Sequence, residues 1–146
     1  MKQWVWWVLG SLAFVVLLLF LPIGGSAQVP TVILDWTAPG DDGNVGTATS
    51  YQMRWSTARP DTTSQATIDT WWATATPVLS LPVPLVAGTR QSVTVSPGVG
   101  PFLPGSYYFV AKACDEVPNC SLYSNVATKV VPDATPPARI IDLVVR

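Results

Sequence analysis

In four separate stretches of this chain the apolar residues recur at every second position, and proline, glycine or aspartate bounds most of them. Val32, Leu34 and Trp36 alternate with Thr31, Ile33 and Asp35, and Tyr51, Met53 and Trp55 alternate with Gln52, Arg54 and Ser56. Val93 and Val95 repeat the pattern within Gln91–Val95, as do Tyr107, Phe109, Ala111 and Ala113. A period of two is the signature of a strand with one face toward a core. Ser124–Val131 reads as a last strand before Pro132, and Trp71-Trp72-Ala73 as a short one, with its two indoles on opposite faces. Pro77, Pro82 and Pro84 exclude a central strand between them, because proline cannot donate to a ladder. No helical period is expected beyond residue 27. Short strands separated by turn residues specify an all-β, antiparallel sandwich, and the span from Gln28 to Pro132 suits one such domain of about 100 residues.

The N-terminus follows different rules. Lys2 precedes an apolar run from Trp4 to Leu21, Pro22 and Gly24-Gly25 break it, and Gly25-Ser26-Ala27 offers small residues before Gln28. That order is the pattern of an export signal over residues 1–27. The run is also near the length that spans a bilayer, so a retained anchor is the alternative. Both place the remaining chain outside the cytoplasm, with membrane contact confined to this segment.

Several function classes drop out. The formal net charge is −1 and the eight lysines and arginines are scattered from Lys2 to Arg146, which gives nucleic acid no basic stripe to bind. Histidine is absent, which removes the commonest general base and metal ligand. No nucleophile–base pair emerges, so neither enzymatic activity nor a cofactor is expected. In an exported chain Cys114 and Cys120 are expected to pair, and closing so short a loop stabilises by about 2 kcal/mol on the chain-entropy estimate.

The ordered set of segments resembles a bacterial fibronectin type III domain. Thr31-Val-Ile-Leu-Asp-Trp36 with the Pro39–Gly43 loop resembles the second strand of that family and the loop after it. Tyr51–Ser56 resembles the third strand, and Pro104-Gly-Ser-Tyr107 through Ala113 the proline–glycine turn, tyrosine corner and sixth strand. Asp115–Asn119 and Ser124–Ala127 resemble the closing loop and seventh strand. The resemblance implies an immunoglobulin-like sandwich with Val32, Leu34, Trp36, Tyr51, Met53, Trp55 and Phe109 in its core. Tyr107 rather than Tyr108 is the expected corner residue, because the alternative parity would turn Lys112 inward. The family's first strand has no counterpart before Val32. Residues 133–146 instead read as a proline-containing linker and a spare strand, with Ile140, Ile141, Leu143, Val144 and Val145 as candidates for donation to another subunit.

Two further features could carry function. Asp41 and Asp42 lie in one loop and Asp115 and Glu116 in another at the same end of such a sandwich, a set that could hold calcium or could simply be turn chemistry. Trp71 or Trp72 could stack on a sugar or a neighbouring protein, or pack as a satellite of the core. The expected role is an extracellular structural or adhesive module whose partner is a second copy, bound head to tail into a filament. The alternative is one repeat of a larger secreted protein, acting as a spacer or binding other extracellular proteins or polysaccharide.

Overall fold

A computed structural model describes residues 30–117 and 119–145. The expected signal or anchor over residues 1–27 lies outside the described residues. Six strands and one helix follow in order: β1 (Val32–Thr37), β2 (Ser50–Ser56), α1 (Gln65–Thr74), β3 (Thr76–Pro77), β4 (Arg90–Val95), β5 (Gly105–Cys114) and β6 (Ala127–Val131). They form two antiparallel sheets. One is the pair β1–β4, with Val32 opposite Val95 and Thr37 opposite Arg90. The other has the order β3-β2-β5-β6, with Tyr51 opposite Ala113 and Tyr107 opposite Lys129. Pro77 sits in the two-residue strand at the edge, where its missing N–H costs no ladder bond.

The period-two faces meet between the sheets. Val32, Val93 and Val95 from the pair pack with Met53, Tyr107, Phe109 and Val131 from the four-stranded sheet, and Val78 and Phe102 close the ends. Phe102 lies edge-on to Tyr107 at 4.7 Å and to Trp55 at 5.4 Å, the arrangement that aromatic quadrupoles favour. Leu34, Trp36 and Trp55 pack against this cluster but stay partly exposed. For Leu34 and Trp36 the cause is topological: among the described residues no strand pairs with β1 on the side away from β4.

One buried polar side chain holds the proline-rich segment to this core. Gln91 Oε1 accepts from the Tyr51 hydroxyl at 2.7 Å and from Leu85 N at 3.0 Å, while its Nε2 donates to the Val83 carbonyl at 2.9 Å.

Two expectations need correction. The Trp71-Trp72-Ala73 stretch is helical, not a strand, and a helix does follow residue 27. Ser64 caps α1: its hydroxyl accepts from Thr67 N, and the Thr67 side chain accepts from Ser64 N in return. Ile68, Trp71, Trp72 and Ala75 then fall at i, i+3, i+4 and i+7, one helical stripe, and pack on Val110 and Tyr108 of the outer sheet face. The last strand also starts later than expected, at Ala127. Ahead of it the Ser121 and Ser124 hydroxyls accept from Ala113 N and Ala111 N, so side chains replace ladder bonds there.

Replacing Gln91 by Leu strands the buried Tyr51 hydroxyl and two part-buried backbone groups, at a cost of about 2–3 kcal/mol. The urea midpoint is expected to fall with the slope unchanged, and Tyr51→Phe to lose a smaller share of the same stability.

Candidate functional site

The sandwich is open along one side. Two adjoining hollows of about 340 and 430 Å³ run between β1 and the residue 121–129 segment. One wall is the edge of β1, from Val32 to Thr37, that no described strand pairs with; the floor carries Met53, Phe109 and Ala111. Val32 and Lys129 line one hollow, and Thr37, Ser121 and Leu122 the other, so β1 and β6 run in opposite directions along the groove. The opposite wall is less apolar. Lys129 shares the inner face of β6 with buried Val131 but reaches solvent at the rim, a charge of the kind that blunts an exposed edge.

Residues 132–145 belong to no strand or helix. Ile140, Ile141, Leu143, Val144 and Val145 are between 72% and 101% exposed. Five large apolar side chains within six residues are thus left uncovered by the chain's own sheets. The chain leaves the sandwich at Val131, beside the Val32 end of the groove.

The tryptophans occupy a different place. Trp71 is buried and its indole N–H donates to the Ala58 carbonyl at 2.7 Å. Trp72 is half-buried under Arg54 and Lys112, whose cationic groups stand 5.4 and 5.3 Å from its ring, and it packs on Tyr123 at 5.1 Å. Arg54 also donates to the carbonyls of Trp72 and Ala75, tying the helix end to β2. Trp71 is thus withdrawn from the surface, and the cover on half-buried Trp72 comes from β2, β5 and Tyr123 rather than from the proline-rich segment.

The Tyr123 hydroxyl donates to Asp69 Oδ1 at 2.6 Å. Loss of hydration, with this carboxylate's bond and charge, pushes the phenol up to about 12, and the bond holds the Asp69 carboxyl below its usual range. Only the neutral phenol is accommodated, so its contribution to stability is complete below pH ~10 and is lost as pH rises through about 12. An alkaline absorbance titration is expected to show one tyrosine ionising near 12. Asp69→Asn should lower that value only in part, because burial is the larger cause.

The two acidic loops do share one end. Asp41, Asp115 and Asn119 line a hollow of about 280 Å³ together with the Cys114–Cys120 disulfide. The Asp41 carboxyl is raised by lost hydration and then by Glu116, Asp42 and Asp115. Asp115 spends its oxygens locally, accepting from Val117 N, Asn119 N and Asn119 Nδ2. Among the described residues no three acidic or cysteine side chains are placed to hold a metal ion. Gly40 shapes the loop, since a Cβ there would collide with the Val45 backbone.

Tyr107 faces inward and its hydroxyl donates to the Leu103 carbonyl at 2.8 Å, while Tyr108 lies on the outer face against α1. Gln91 and the Tyr123–Asp69 pair were not singled out from sequence; only a glutamine on an inward strand position hinted at the first. No family model, curated protein or solved structure matches the chain.

Proposed function

We propose that this chain is an exported, non-catalytic sandwich module of the fibronectin type III kind, which builds an extracellular filament by lending residues 138–145 to the next copy. The observation that carries the reading is the pairing of two incomplete parts in one molecule: an exposed apolar tail, and a groove beside a strand edge that no described strand pairs with. An unpaired edge is a template for another chain, and strand addition is an established recognition mode. A head-to-tail contact between two different surfaces of identical subunits grows into a fibre when its rotation does not close a ring, and copies stacked end to end along one axis meet that condition.

Three observations support the domain type. The strands split into a pair and a set of four, the second pairing order is β3-β2-β5-β6, and Tyr107 bonds back to the backbone before its strand, as a tyrosine corner does. Export is supported by the N-terminal sequence and is compatible with the disulfide. The buried and covered tryptophans weigh against a carbohydrate platform at Trp71 and Trp72.

Negative-stain microscopy of the exported protein is expected to show filaments, and a chain ending at Ala134 to show only monomers. Filaments that survive the truncation would overturn tail donation. Monomers in both samples would favour a spacer or binding module of a larger assembly.

A further inference from the structure

We infer that the donated segment enters the groove at its Thr37 end, runs antiparallel to the free edge of β1, and inserts Ile141, Leu143 and Val145. This rests on the donation reading and specifies its receiver, polarity and phase.

Two edges border the open side, and the structure discriminates between them. The inner face of β6 carries Lys129 at the rim, so a strand added there would press an apolar face against a charge. The inner face of β1 carries Val32, Leu34 and Trp36, the last two left partly exposed by the missing neighbour. β1 is therefore the edge that gains from an added strand.

Polarity follows from where the tail starts. Every strand pair among the described residues is antiparallel. An antiparallel neighbour of β1 must begin at its Thr37 end, whereas the chain leaves the sandwich at the Val32 end. To reach its own Thr37 end, the tail would have to run back along six residues of strand, about 20 Å, which takes up the whole extended span of residues 132–137. Pro132, Pro136 and Pro137 stiffen that span outward. When a second copy is stacked end to end, its Thr37 end lies beneath the first copy's exit and the tail passes straight in. Each copy then receives at one end and donates at the other, with the same axial direction throughout.

Phase follows from the tail itself. On a strand, Ile141, Leu143 and Val145 share one face and Ile140, Asp142 and Val144 the other. Inserting the second set would desolvate the Asp142 carboxylate over Met53 and Phe109. Inserting the first leaves Asp142 in water.

Donor substitutions test this cleanly, because the tail side chains are exposed in their own subunit and the variants are expected to fold as the parent does. The full-length exported protein carrying Leu143→Arg is expected to need on the order of 100-fold more protein to form filaments, or to form none. Val144→Arg should assemble within a few-fold of the parent. Monomeric Leu143→Arg with filamentous Val144→Arg supports the inference. The reverse result overturns the phase but keeps donation. Loss in both variants, or in neither while the Ala134 truncation still abolishes filaments, also overturns the inserted face. Filaments from the truncated chain, or none from the parent, remove the donation reading itself.

Discussion

A two-stranded ladder is not stable by itself in water, and β1–β4 is such a ladder. It persists because Val32, Val93 and Val95 are pressed onto Met53, Tyr107 and Phe109 of the larger sheet. Almost everything else in the molecule serves or results from that contact. Gln91 stitches the proline-rich segment over one end of the pair, through the carbonyl of Val83 and the amide of Leu85. Phe102 and Trp55 fill the other end with edge-on aromatic contacts. The narrowness of the pair also explains the open side, since two strands cannot cover a face four strands wide.

The outer face of the larger sheet is closed by a second, smaller core. α1 lays Ile68, Trp71 and Ala75 on Val110. Lys112 and Arg54 stand over the Trp72 ring, and Tyr123 locks the assembly to Asp69. Such cationic groups over aromatic rings are worth about 0.5–1 kcal/mol where water still has access. The sheet is thus sheltered on its outer face and at the disulfide-closed loop, and is left bare along the groove. That contrast is why the proposed donation is placed in the groove rather than at the tryptophans or the acidic loops.

Strand phase was legible in the residues. Val32, Met53, Val93 and Phe109 could be assigned to an inner face from alternation alone, and all four are buried. The helix was misread for a definable reason. Thr67, Ile68, Thr70 and Thr74 are β-branched, and the polar run from Arg59 hides the cap. The spacing of Ile68, Trp71, Trp72 and Ala75 nevertheless held the helical stripe, and Ser64 with Thr67 held the start signal. The cover on Trp72 was not legible, because it comes from residues 18 and more positions away that meet it only through sheet pairing.

What the chain determines by itself is therefore local: which residues alternate, where prolines forbid a ladder, and which three side chains of the tail share a face. A period of two needs only neighbours along the chain to be read. The tertiary structure decided which edges remain unpaired, that Lys129 guards one of them, and at which end of the groove the tail departs. Those properties belong to no segment, because an open edge exists only relative to every pairing made elsewhere in the sheets.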